Sequence, residues 1–390
     1  MQETMIKPKV TIGLDKVRGE GFKQFKDKKI GLVLNHTSLT SDLVFSLNLF
    51  KKHLKEGLEV VFTPEHGLLG DVADGVKVQS YFDKVFRVQV YSLYGETYEP
   101  PADVLQDLDA LVYDIQDIGV RWYTYISTLY YVIRASGKAD TPVYVLDRPN
   151  PVTGVHLEGP ILDLNFKSFV GIADIPVRYG LTCGELALYY NERFSFGAEL
   201  HVIKISGWDR KMWFDETGLL WVPPSPNIPS LDAAIVYLGT CIFEGTNLSE
   251  GRGTVKPFEY IGAPWLKWRK VLDYLGGPKL PGALLRPVTF TPLASKHKNE
   301  KCYGFQVHVY DRETFKPLKA ALKLLEAIKN THEDDFQWRC SKNVCWIDKL
   351  LGTDQVRKRM DSGEKVDEYY WELQRGLDAY WEKASKILLY

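Results

Sequence analysis

The sequence predicts an α/β protein: a Rossmann-like doubly wound parallel sheet over residues 1–160, then a second, C-terminal α+β domain over residues 161–390. Three observations lead there. A chain of 390 residues is long enough for two or three domains. Through its first 150 residues, short apolar runs alternate with stretches of helical period, at a spacing of about thirty. The runs are apolar throughout, as strands covered on both faces are.

In chain order the runs are 29–34 (KIGLVL), 58–63 (LEVVFT), 88–93 (VQVYSL), 110–115 (ALVYDI) and 142–146 (PVYVL). Between the first two, Leu43, Leu47, Phe50 and Leu54 mark one helix face. Pro100 and Pro101 open a second helix bearing Val104, Leu105 and Leu108, proline being tolerated in a first turn. A third helix spans 122–135 and stops at Gly137. Past Asn150 the rhythm breaks. Thr182 and Glu185 form a capping box for a helix with Leu186 and Tyr189. An irregular stretch, rich in Trp, Pro and Gly, covers 207–264. Strand-like runs follow at 287–291 and 306–310, then a helix with Leu318, Leu322, Leu325 and Ile328. A closing helix carries Val366, Tyr370, Leu373, Leu377, Trp381 and Leu388 on one stripe.

At 45% hydrophobic and 25% charged residues, the chain can bury a core. Lys+Arg 49 against Asp+Glu 50 argues against nucleic acid or anionic membrane as partner. No apolar run reaches the ~20 residues of a membrane span. No leader is visible, so the expected compartment is cytoplasmic if the sequence is complete, periplasmic or secreted if a leader has been removed. Five scattered cysteines read as reduced thiols, and Cys340 and Cys345 lack the spacing of a zinc site. Aromatics at 13% suit sugar faces as well as core packing, and they permit a homodimer.

In an open parallel sheet ligands bind beyond the carboxyl ends of the strands. Here those ends read Asn35-His36-Thr37, Pro64-Glu65-His66-Gly67, Tyr94-Gly95-Glu96, Asp114-Ile115-Gln116-Asp117 and Asp147-Arg148-Pro149-Asn150. The series marks an active-site rim. A dinucleotide fingerprint, a P-loop, a nucleophile elbow and HExxH are all missing. Carboxylates, histidines, arginines and aromatics remain, the set for hydrolysis by general acid–base catalysis without cofactor or metal, glycoside cleavage above all. A glycine-rich segment, 243–254 (FEGTNLSEGRGT), offers either close backbone approach to a ligand or a surface turn.

The segments PEHG (64–67), SLYGE (92–96), DIQDIGVRWYTYIST (114–128), LDRPNP (146–151), EGP (158–160), WVPPSPN (221–227), EGTNLSEGRGT (244–254) and ILLY (387–390) resemble the NamZ-type exo-β-N-acetylmuramidases. The resemblance runs from about Leu14 to Tyr390. It implies a Rossmann-like N-terminal domain, a smaller C-terminal one and an active site in the cleft between them. The implied reaction, part of bacterial cell-wall turnover, releases terminal β-linked N-acetylmuramic acid from the non-reducing end of peptidoglycan fragments.

Carried over to this chain, the resemblance makes Glu65 the catalytic candidate; a helix-start carboxylate is the plainer use. His66 either orients it or packs. Glu96, Asp117 and Glu244 compete for the second carboxylate, with Tyr123 or Tyr125 if the partner is a phenol, and the substrate's own acetamido group is a third route. Muramic acid carries a lactyl carboxylate, which favours an arginine fork. Arg252 and Arg121 lead for that contact over Arg148, while salt bridges to nearby Asp residues would occupy the same groups. Asn35, Asn150 and Asn247 suit sugar hydroxyls or turns. Trp221 and Trp213 suit stacking. Two other readings are a non-catalytic glycan-binding protein and a metal-dependent hydrolase using Asp114, Asp117 and Asp147.

Overall fold

The computed structural model describes residues 8–342 and 344–390. Its main sheet contains β1 (Ile30–Leu34), β2 (Leu58–Thr63), β3 (Tyr81–Asp83), β4 (Val88–Ser92), β5 (Ala110–Asp114), β6 (Val143–Leu146) and β7 (Leu200–Ile203). The spatial order is β3-β4-β2-β1-β5-β6-β7. All neighbours are parallel except β3, which returns antiparallel on β4. Helices α1 (Gly13–Gly19), α2 (Ser46–Leu54), α3 (Ala102–Gln106), α4 (Tyr125–Ala139) and α5 (Cys183–Arg193) accompany it.

Two hydrophobic clusters explain why the strands read as unbroken apolar runs. Ile30, Leu32 and Leu34 of β1 join one with Leu47 and Phe50 of α2. Val33 points the other way and joins Leu105 and Leu129 of α3 and α4. Successive side chains face opposite sides of a sheet, so burial of both faces requires every position to be apolar. Each such side chain contributes about 1.5–3 kcal/mol.

The second region adds α6 (Leu231–Thr240), β8 (Tyr260–Ala263), α7 (Trp268–Leu275), β9 (Lys279–Leu280), β10 (Ala283–Phe290), β11 (Cys302–Val309) and α8 (Pro317–Thr331). Strands β8-β11-β10-β9 form an antiparallel sheet. A short hairpin, β12 (Cys340–Ser341) and β13 (Val344–Cys345), leads into α9 (Trp346–Leu351), α10 (Gln355–Asp361), α11 (Val366–Tyr369) and α12 (Leu377–Ala384). The cluster holding Val33 continues without a break to Leu238, Leu318 and Leu325, so the two regions share a core.

Several elements differ from the sequence reading. The sheet extends past residue 160, because α5 and β7 supply one more crossover and strand. Helix α4 runs through Gly137 to Ala139. Gly137 is there for contact, since a Cβ would lie 2.1 Å from the Phe196 carbonyl oxygen. The closing stripe is broken into α11 and α12, with Gly376 at φ 91° between them, a conformation that favours glycine. Cys340 and Cys345 form a disulfide. Reduced thiols were expected, but β12 and β13 pair these two residues face to face; Cys183, Cys241 and Cys302 are free and buried.

The Thr182–Glu185 capping box is present. Asp147, at the end of β6, accepts bonds from Gly184 N (2.7 Å), Thr182 Oγ1 (2.8 Å) and Tyr390 Oη (2.6 Å). The LDRPNP and ILLY segments thus meet at a structural knot.

Candidate active site

A cavity of about 320 Å3 opens where the exits of β2 and β4 and the start of α4 face the second region. Glu65, His66, Tyr123, Glu244 and Arg252 line it, as do Asp74, Tyr94, Trp122, Thr124, Arg339 and Trp346.

Glu65 is placed by the end of β2. Pro64 interrupts the ladder, and a turn closes from Gly67 N to Pro64 O at 3.1 Å. His66 and Gly67 both have positive φ, 73° and 75°. For histidine this left-handed backbone costs of order 1 kcal/mol. His66 Nδ1 lies 2.7 Å from the Val72 carbonyl oxygen, which ties the turn to the loop after it. Glu65 is only 7% exposed. Its carboxylate accepts from Gly75 N (2.8 Å) and from Thr124 Oγ1 (2.6 Å), just before α4. Burial, and then the adjacent Glu65 carboxylate, push the Tyr94 phenol up, so Tyr94 stays a hydrogen-bond donor.

The other cavity carboxylates are committed to a cation. Arg252 Nη2 bonds Glu244 at 2.7 Å, Nη1 lies 2.8 Å from Asp74, and Nε lies 3.3 Å from Glu250. Asn227 also donates to Asp74, at 3.0 Å. The loop after Glu65 is thereby joined to the second region. Among the described residues, Glu65 alone of the carboxylates lining this cavity has no Lys or Arg partner. Trp122 Nε1 and the Tyr123 hydroxyl, the latter beside Ser225, are buried in the wall without an aligned partner.

The remaining sequence candidates lie outside this cavity. Glu96 is exposed. Asp117 is buried, accepts from Gly119 N (2.7 Å) and from the Tyr179 hydroxyl, and is pushed up to about 6 by burial. Arg121 is fully buried and donates to the carbonyls of Pro160, Ile175 and Leu350. Arg148 pairs with buried Asp114 at 2.6 Å. With Trp221 it lines a smaller crevice of about 40 Å3. Asn35 holds Thr37 in a turn, and Asn150 bonds Leu181 O and Val152 N. Asn247 bonds Asp335 O and Gln337 N. The Tyr125 hydroxyl bonds Pro224 O, and Trp213 bonds Glu313. A metal on Asp114, Asp117 and Asp147 would compete with bonds each already makes. Among the described residues, no group of three or more His, Cys, Asp or Glu is arranged to hold a metal ion.

Two family models cover most of the sequence: exo-β-N-acetylmuramidase NamZ, N-terminal, over residues 30–232, and its C-terminal counterpart over 235–390. The chain belongs to the NamZ exo-β-N-acetylmuramidase family. It is 41% identical over 388 residues to the peptidoglycan β-N-acetylmuramidase NamZ of Bacillus subtilis, covering 100% of this chain and 93% of that protein. Two crystal structures of DUF1343 family proteins from Bacteroides fragilis share the architecture. One has TM-score 0.89 and 32% identity, covering 98% of this chain and 100% of the other. The second has TM-score 0.78 and 29% identity, with 98% and 99% covered.

The sequence does not single out Asp74, Trp122, Thr124, Arg339 or Trp346 of this NamZ cavity, and it marks Tyr94 only as part of a strand exit. Tyr94 and Thr124 sit inside quoted motifs, two positions from Glu96 and one position from Tyr123. Arg339 and Trp346 flank Cys340 and Cys345, so the close cysteine spacing was the available signal.

Proposed function

We propose that this NamZ-family chain hydrolyses the bond to terminal β-linked N-acetylmuramic acid at the non-reducing end of peptidoglycan fragments. Glu65 is the acid–base group. The observation that carries its role is its setting: a cavity carboxylate held by neutral donors while its carboxylate neighbours serve Arg252. A carboxyl fixed by Thr124 and Gly75 has one orientation, the condition for proton transfer to a positioned oxygen.

In the reaction, Glu65 gives a proton to the glycosidic oxygen as the C1–O bond breaks. Water supplies hydroxide to C1, and its remaining proton returns to the carboxylate. The half-buried Tyr94 phenol, which lines the cavity, is a donor for the sugar's ring substituents. A cavity of about 320 Å3 suits one terminal sugar, in keeping with exo action.

The test is product release from 4-nitrophenyl β-N-acetylmuramide beside the matching glucosaminide. Release of nitrophenol from the muramide supports the reading. Binding of the muramide without release sinks it in favour of a glycan-binding protein.

A further inference from the structure

Beside the Glu65 cavity lies a second space of about 460 Å3, sharing Asp74, Glu244, Arg252 and Arg339 with it and adding Glu250 and Lys296. Three carboxylates and three cations meet there. Arg252 lies against all three carboxylates, and Lys296 adds a contact to Glu250 at 2.8 Å. Lys296 also donates to the carbonyls of Phe243 and Thr246. Arg339 is different. Among the described residues its guanidinium has no carboxylate partner; its recorded contact is with the Trp346 ring, 5.6 Å from the centroid.

We propose that Arg339, held on the disulfide-closed hairpin over Trp346, is the residue that binds the substrate's lactyl carboxylate, making this hairpin the element that selects muramic acid over glucosamine. The inference rests on the proposed reaction for the identity of the sugar. Its geometry is fixed from several sides. Arg339 N donates to Gly245 O at 2.8 Å, and Trp346 N donates to Arg339 O at 2.9 Å. Asn247 holds the preceding turn through Asp335 and Gln337. Cys340 and Cys345, each next to one of the two residues, are covalently joined. Trp346 Nε1 reaches Glu244 at 3.3 Å, which orients the indole under the guanidinium.

Arg252 is the poorer choice despite its place in the cavity wall. A substrate carboxylate beside it would be a fourth negative group around one cation, with repulsion from the other three. Arg121 is worse placed, buried outside the cavity and bonded to three carbonyls. Arg339 is exposed into the open space, so it gives up water but no protein anion on binding. A planar fork suits a carboxylate, and a charge-assisted hydrogen bond of this kind gives roughly 10- to 100-fold in affinity.

Calorimetry with N-acetylmuramic acid and its lactyl methyl ester, on wild-type protein, Arg339→Gln and Arg339→Lys, tests this. The expected result is a wild-type preference for the acid that falls 10- to 100-fold in Arg339→Gln and is partly kept by the lysine. An unchanged preference in Arg339→Gln, or none in the wild type, overturns the assignment. Turnover of the chromogenic muramide by wild-type protein separates the two proposals. Selective binding that depends on Arg339 without any turnover would sink the proposed reaction and leave the carboxylate site standing. Turnover with selectivity indifferent to Arg339 would do the reverse.

Discussion

Glu65→Gln removes a proton donor while keeping nearly the whole shape of the side chain. Its structural cost follows from two contacts. The new amide oxygen can still accept from Gly75 N, now 2.8 Å from Glu65 Oε1. The amide nitrogen then faces Thr124 Oγ1, 2.6 Å from Oε2, and that hydroxyl can rotate from donor to acceptor. No cation loses a partner, so stability should change by less than about 1 kcal/mol. The catalytic cost is of another size. Loss of an acid–base group typically costs ~10²–10⁴-fold, roughly 3–5 kcal/mol of transition-state stabilisation. Steady-state kinetics on the chromogenic muramide, beside urea unfolding of both proteins, separates the two costs. A fall in kcat of at least ~100-fold with an unchanged unfolding midpoint is expected. Activity within a few-fold of wild type would refute the role of Glu65, and a matched loss of stability would make it a structural carboxylate.

Arg121→Met should destabilise the protein by about 3–5 kcal/mol, because three buried carbonyls lose their donor; denaturant unfolding reads this, and a large loss of activity without loss of stability would return Arg121 to the substrate. Asp117 is pushed by burial up to about 6, against roughly 4 when unfolded. The folded state therefore holds that proton more tightly, and stability is lost as pH rises from about 4 through 6. The stability of Asp117→Asn relative to wild type should climb by up to roughly 3 kcal/mol across that window; a flat difference from pH 4 to 7 would contradict it. In denaturant without reductant, thiol titration should find three thiols, Cys183, Cys241 and Cys302, rising to five after reduction.

The sheet was legible because its physics is local. Strands buried on both faces must be apolar at each position, so β1, β2, β4, β5 and β6 appear as runs within a residue or so of their observed ends. The capping box of α5 was legible for the same reason: Thr182 and Glu185 satisfy each other three residues apart. Glu65 and His66 were marked by their place at a strand exit together with a motif match. Position along the chain could not decide which polar residues face the cavity. Arg121 and Tyr123 are two residues apart, yet one is sealed among the carbonyls of Pro160, Ile175 and Leu350 while the other lines the site. Arg252 reads in the sequence as either a lactyl contact or a salt-bridge partner, and only folding brings Asp74 to it, beside Glu244 and Glu250 of its own segment. Arg339 carried no motif at all; its availability comes from what its neighbours bind instead. A sequence determines which groups a protein owns and which stretches must be buried. Partnership between charges is decided by distance in three dimensions, and only the packed chain supplies those distances.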